Sequence, residues 1–411
     1  MRLFLTVALT WLSLAAFAAE LPKRTPEKVG MSSERLAGIT DAVQRHIDAG
    51  NVQGAVVAVA RHGKVIYLKA QGESNVEQNL PMSTDSLFQM WSSTKPVLGV
   101  AAMMMIEQGL FKPTEPVSKY IPEFEGIKVA VLKEPADEDI SPTGYIPRDD
   151  IPEHRLVDTH RPLTIQDLLT HTGGIGGYGL GSAISETTWG DNEALATLVP
   201  KYAAGSLDFQ PGTRWSYSGT EGLDVVARII EIVSGTPFNE FVHDNILTPL
   251  DMKDTYWNVP DEKQHRRVLA KGSKRGLPGP TKHFSGSWGL NSTARDYLHF
   301  EQMLLNGGTL FGNRLLGPRS VEWMTRNHVG DLYSPKGTTK GMGFGYTVRV
   351  TLDPVAAQTP RSEGAFGWIG AMGTTSWTDP KEDLVAVIMI QQMKPDLHYD
   401  VENAIRQAII D

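Results

Sequence analysis

Ser92 and Lys95 stand three residues apart in the run Ser92-Ser93-Thr94-Lys95, the single Ser-x-x-Lys pair in 411 residues. A serine hydroxyl becomes a nucleophile only when a neighbouring group takes its proton. A three-residue spacing on a helix brings both side chains to one face, so a lysine there can serve as that group. Chance alone supplies roughly one such pair in a chain of this length at average serine and lysine usage. Position adds to its meaning. Near a helix start, unpaired backbone N–H groups favour an oxyanion, and the positive end of the dipole disfavours a protonated lysine. Burial would lower the proton affinity of the lysine further. The competing reading of Ser92 and Ser93 is N-capping of that helix, and the pair alone does not separate the two.

Other chemistries find less support. No serine sits in Gly-x-Ser-x-Gly; Ser287, in Ser285-Gly286-Ser287-Trp288-Gly289, comes nearest but lacks the leading glycine. No His-Glu-x-x-His occurs, and His154, His160 and His171 are not at zinc-site spacing, so no metal or other cofactor is expected. His171, before Thr172-Gly173-Gly174, reads as a structural turn residue. Tyr217 lies in the turn-rich segment 211–219, directly before an apolar helix beginning near Leu223. Its phenol becomes useful beside a cation that stabilises the phenolate, which Lys95 would supply. Taken by itself, the segment equally suits an aromatic packing residue.

The elements that must position these groups follow from periodicity. Ser33 precedes a helix with Leu36, Ile39, Val43 and Ile47 at helical spacing, stopped at Gly50. Residues 55–60 and 65–70 read as a β-hairpin, and 87–109 as a helix with Val97, Leu98, Ala101, Met105 and Ile106 in one stripe. Met103, Met104 and Met105 read as core packing. Residues 113–162, rich in proline and acidic groups, read as surface loops and short helices. Helices are expected from 163 to 169, 223 to 233 and 297 to 305. Strands return at 345–352, 374–378 and 384–390, and a closing helix spans 402–410. Strands divided between the two ends of a chain pair in one sheet, since open edges are a liability. The expected class is α+β: an antiparallel sheet flanked by helices, with an inserted, mainly helical subdomain. The sheet part is expected over about 28–85 and 285–411, the helical part over about 86–284.

The net charge of −8 and the absence of basic runs argue against nucleic acid or anionic lipid and for small-molecule partners. The chain has no cysteine, which excludes disulfides and thiolate chemistry. Arg2, the uncharged stretch 3–17 and Ala16-Phe17-Ala18 have the form of an export signal, so residues 1–18 are expected to be removed and 19–411 to form one catalytic domain, periplasmic or secreted. The apolar stretch is shorter than the ~20 residues a membrane span needs.

Several segments together resemble the serine β-lactamase and penicillin-binding protein superfamily, in its class C-like branch and closest to the family VIII carboxylesterases. These are Phe88 to Pro96 around Ser92 and Lys95, Leu168-Leu169-Thr170-His171-Thr172-Gly173-Gly174, Pro211-Gly212 through Tyr217-Ser218-Gly219, Gly289 to Asp296, and Gly373-Thr374-Thr375 with Asp379-Pro380. The motifs run in register from about residue 28 to the C terminus. The resemblance implies that Ser92 is the acylated nucleophile, that Lys95 and Tyr217 form the base pair, and that the N–H groups of Ser92 and Ala371 form an oxyanion hole. It places the third family motif, usually Lys-Thr-Gly on an edge strand, at Trp368-Ile369-Gly370, and makes Trp368, Gly370 and Tyr178 substrate-binding.

Two departures bear on substrate. A lysine at Trp368 would hold the carboxylate of a lactam or peptide terminus, and an asparagine at Gly219 would bond a substrate amide. Their loss points to neutral esters. The alternatives are a β-lactamase or D-amino-acid peptidase or amidase with the same catalytic set, and a cell-wall-associated binding protein that has lost catalysis.

Overall fold

The computed structural model describes residues 19–133, 145–185, 192–273, 277–333 and 339–411. The expected leader, 1–18, lies outside them. The first helical segment is two helices, α1 (Ser33–Leu36) and α2 (Gly38–Asp48), capped by Ser32 and not by Ser33, through a bond from Arg35 N–H to its hydroxyl. The hairpin follows as expected, with β1 (Gly54–Arg61) and β2 (Lys64–Asn75) joined by His62 and Gly63, both at positive φ, which matches the twist of the flanking strands. A short β3 (Leu80–Pro81) closes this edge.

The expected helical part contains α3 (Lys95–Glu107), α4 (Ile165–Leu169) and α5 (Glu221–Ser234), and α6 (Ala294–Leu305) follows within the expected sheet part. In α3 every residue from Lys95 to Met105 is buried, so the expected stripe is a helix enclosed on all sides, with the three methionines in the core. Helix α4 starts on a capping box between Thr164 and Asp167. Helix α5 stops at Gly235, in the left-handed conformation that caps helices. The stretch expected to hold only loops and short helices also carries a two-stranded ribbon, Lys128–Leu132 against His154–Asp158, whose second strand is largely exposed.

The C-terminal portion supplies β4 (Met342–Phe344), β5 (Arg349–Thr351), β6 (Phe366–Ile369), β7 (Thr375–Asp379), β8 (Leu384–Met389) and α7 (Pro395–Ala408). Of the stretch expected as one strand at 345–352, only Arg349–Thr351 is strand: Gly345, whose N–H bonds to Val348 O, begins a turn, and the strand that pairs with β5 lies before it. The sheet order is β4-β5-β6-β7-β8-β1-β2-β3, antiparallel throughout. The two ends of the chain meet at β1 and β8, where Val57 pairs with Ile388 and Val59 with Ala386.

Alternation along β1 explains its unbroken apolar run. Val57 and Val59 pack with Ile388 beneath α2 and α7, whereas Val56, Ala58 and Ala60 face the core that includes α3, α5 and α6. The central strands are thus buried on both faces, and the site lies between the sheet and the helical part.

Candidate active site

A 3-10 turn, Trp91–Thr94, runs directly into α3 at Lys95. Ser92 therefore sits one turn ahead of the α-helix instead of inside it. With three residues per turn, this geometry stacks positions 92 and 95 over one another. Trp91 carries φ of +48°, a conformation uncommon for a bulky residue, and swings the chain from the strand segment Phe88–Gln89 into the turn. N-capping is not what the serines do: neither the turn nor α3 has a side-chain cap, and Ser93 Oγ contacts Thr374 O and Oγ1, each at 3.2 Å.

Three elements pin this turn. Thr374 Oγ1 donates to Met90 O at 3.0 Å, Tyr297 Oη on α6 donates to Ser93 O at 2.7 Å, and Met90 N–H donates to Leu290 O at 2.8 Å. Gly370 packs so closely that a Cβ there would stand 2.4 Å from Met90 O and 2.3 Å from Thr374 Oγ1. The turn after β6 is thereby seated against the residues that precede Ser92. Ala371 is exposed in that turn, and among the described residues no acceptor takes its N–H or that of Ser92.

Lys95 is completely buried, and its Nζ reaches Gly219 O at 2.9 Å, Ser287 O at 3.1 Å and Ser92 Oγ at 3.4 Å. Burial pulls its pKa down to about 7, against a smaller upward pull from Asp224 and Glu221. Asp224, on α5 and fully buried, lies 2.6 Å from His283 Nε2 and accepts from Ser285 Oγ at 2.5 Å and Gly286 N–H at 3.0 Å. It shapes the segment that presents Ser287 O to the lysine. Ser287, the nearest approach to a nucleophile elbow in the sequence, contributes this carbonyl, while its hydroxyl donates to Thr220 O at 2.8 Å.

Tyr217 Oη donates to Ser92 Oγ at 2.7 Å, and Lys95 Nζ lies 5.0 Å from the centre of its ring. Burial pushes the phenol up to about 12, so the phenolate expected beside a lysine is not the favoured form. The cation that would stabilise it is itself weakened by burial. Tyr217 is set among aromatic rings: His171 at 4.9 Å, Trp368 at 5.7 Å and Trp215 at 6.3 Å between centroids, with Phe344 packed behind His171 and Trp368. His171 is the turn residue expected, with φ of +57°, and burial keeps it neutral. Its Nδ1 accepts the Ser218 N–H at 3.3 Å and so fixes the backbone beside Tyr217.

Trp368 lies on β6, which pairs with β7 along Phe366–Ile369 but with β5 only at Phe366 and Gly367, so at Trp368 and Ile369 the strand is paired on one side, although the outermost strand of the sheet is β4. The strand at 366–369 was not legible from periodicity. Tyr178 is exposed, at φ of +71°, with its hydroxyl 3.6 Å from where a Cβ of Gly219 would be. Sequence reasoning missed the two carbonyls that hold Lys95, which carry no side-chain signal. It also missed Asp224, which was detectable as a carboxylate between Leu223 and Val225 on an apolar helix face.

Among the described residues no group of histidine, aspartate and glutamate is placed to hold a metal ion, and no helix is long and apolar enough to cross a membrane.

An antiparallel sheet covered by helices on both faces, with a serine, a buried lysine and a tyrosine converging between sheet and helices, defines a serine hydrolase of the β-lactamase and transpeptidase class. The chain belongs to the β-lactamase family, whose model, described as "Beta-lactamase", matches residues 39–409. Protein Rv1367c of Mycobacterium tuberculosis is 32% identical over 399 residues, covering 90% of this chain and 93% of that protein. Esterase EstB of Burkholderia gladioli is 28% identical over 421 residues, covering 93% and 97%. The solved structure of "EstCE1, a hydrolase with promiscuous acyltransferase activity" matches with a TM-score of 0.72 at 24% identity, over 91% of this chain and 99% of that one.

Proposed function

We propose that the protein hydrolyses carboxylic esters through an acyl-enzyme on Ser92. The observation that carries this reading is the convergence of Lys95 Nζ and Tyr217 Oη on one hydroxyl oxygen. With a pKa near 7, Lys95 loses a proton near neutrality. The neutral amine keeps two N–H groups for Gly219 O and Ser287 O and turns its lone pair toward Ser92.

Ser92 Oγ then attacks the ester carbonyl carbon as its proton passes to Lys95, while Tyr217 donates to the developing alkoxide. The carbonyl oxygen becomes an oxyanion, which the N–H groups of Ser92 and Ala371 receive, an arrangement worth several kcal/mol. When the C–O bond breaks, the alkoxide takes a proton from Tyr217, which Lys95 restores. Water repeats the sequence on the acyl-enzyme, losing its proton to Lys95, and Ser92 leaves protonated.

Ester preference is supported by Trp368 and Gly219, which put an indole and no side chain where a cation and an amide would hold a lactam or peptide. The name of Esterase EstB agrees with it. The test is turnover of p-nitrophenyl butyrate beside a chromogenic cephalosporin, for the native protein and Ser92→Ala. Ester turnover that drops by orders of magnitude in the variant supports the proposal. Unchanged turnover in Ser92→Ala rejects the nucleophile, and cephalosporin turnover without ester turnover rejects the substrate class.

The leader 1–18 supports export with cleavage after Ala18. N-terminal sequencing of protein recovered from the periplasm or medium, starting at Ala19, is the expected result; an intact Met1 in the cell pellet would refute it.

A further inference from the structure

A cavity of about 380 Å³ is lined by Gly219, Thr220 and Glu221 together with Tyr178, Ile175 and Ser206. Gly219 is also the residue whose carbonyl holds Lys95, so the cavity begins where the catalytic lysine ends. The volume lies within the range of small-molecule sites, roughly 300–1,000 Å³. The chemistry of the wall is uneven. Glu221 is only partly exposed and lies against Gly176, and among the described residues no cation pairs with its carboxylate. Asp208, behind the same loop, accepts from the N–H groups of Gly177, Gly179 and Ser182 and from the Ser182 hydroxyl. The basic residue of the lining, Arg148, is exposed at the rim and turned to Ser182 O at 3.4 Å.

A carboxylate withdrawn from water without a counter-ion gains most from a ligand that brings one. Burial and the nearby Asp224 and Asp208 carboxylates raise the pKa of Glu221, while the backbone N–H groups of Glu221 itself and of Thr220 bond to its carboxylate and pull the other way. We propose that this cavity is a subsite for a substrate substituent bearing an ammonium group, with Glu221 as the residue that selects it. The inference rests on the esterase reading for its turnover assay and on binding alone for its second assay.

The experiment compares p-nitrophenyl ε-aminocaproate with p-nitrophenyl heptanoate, which has a methyl group in place of the ammonium, at about pH 8, where a free carboxylate is ionised and a primary ammonium protonated. The ratio of the two kcat/KM values within one protein cancels any effect of Glu221 on Lys95. The native protein is expected to favour the amino ester about tenfold or more, the worth of one charge-assisted hydrogen bond. Glu221→Gln brings the ratio near one, and Glu221→Asp keeps part of the preference. A native ratio at or below one, or a preference unchanged in Glu221→Gln, overturns the proposal. Calorimetric binding of the corresponding methyl esters to Ser92→Ala separates the two readings. If neither ester is hydrolysed yet the amino ester binds more tightly and Glu221→Gln removes the difference, the esterase reading fails and the subsite stands.

Discussion

Tyr217 Oη meets Ser92 Oγ at 2.7 Å although 125 residues separate them in the chain. The tyrosine comes from the loop that enters α5, the serine from the turn that enters α3, and the aromatic rings around Tyr217 leave its hydroxyl one direction to point. Because burial holds the phenol up to about 12, it acts as a donor near neutrality. Tyr217→Phe keeps the ring packing and removes that donor. It is expected to lower kcat for p-nitrophenyl butyrate by roughly 10²–10⁴-fold with little change in KM. A variant with native kcat would remove Tyr217 from the mechanism.

The proposed mechanism assigns the acid side of the pH–rate profile to Lys95. Its charged form predominates below about 7 and cannot accept the serine proton, so kcat/KM should rise with pH through that value. Steady-state rates between about pH 5 and 9 check it, and a flat profile contradicts it.

The same shift makes a stability prediction of definite sign. Lys95 has a lower pKa folded, about 7, than the ordinary value of 10.5, so between these limits the unfolded chain binds more protons than the folded one. Stability from this group therefore rises with pH across that window. Denaturant titrations of native protein and Lys95→Met at several pH values should show the slope in the first and its loss in the second.

Glu301 behaves in the opposite sense. It is buried on α6, where Ser376 and Thr378 of β7 donate to its carboxylate at 2.5 and 2.7 Å, yet burial raises its pKa from 4.5 to about 7. Between these values the folded state holds the extra proton, so the contribution is favourable below about 4.5 and lost as pH rises through 7. Glu301→Gln, which stays neutral, is expected to raise the Tm at about pH 8 more than at pH 5; equal shifts at both would refute the assignment.

Gly370 tests the seating of the nucleophile turn. Gly370→Ala would drive a methyl group into Met90 O and Thr374 Oγ1. A cost of roughly 1–3 kcal/mol is expected from overpacking. A fall in kcat larger than a mere stability loss explains, measured well below the Tm, would show that Ser92 has moved. Native kinetics in a folded variant would show the contact to be slack.

Much of this was readable in advance for physical reasons. Short-range periodicity marks elements that bury one face, so the β1–β2 hairpin, α5 and α6 were legible, as was the pairing of strands from the two chain ends. Where one segment served two elements, periodicity failed. The strand expected at 345–352 opens on the turn at Gly345, so that it holds β5 alone while β4 precedes it, and β6 was too short to register. The 3-10 turn at Ser92 read as helix because the local preferences of the two forms are nearly alike.

The sequence by itself determined the chemical types and their order: a serine and a lysine three apart, a distant tyrosine, no cysteine, and tryptophan and glycine where a cation and an amide would suit a lactam. Only the tertiary structure decided the protonation states and the distances. Burial beneath Gly219 O and Ser287 O, two carbonyls more than a hundred residues from Lys95, lowers the lysine toward 7, and burial among aromatic rings raises the tyrosine toward 12. Desolvation depends on which parts of the chain exclude water from a site, and no local pattern encodes that.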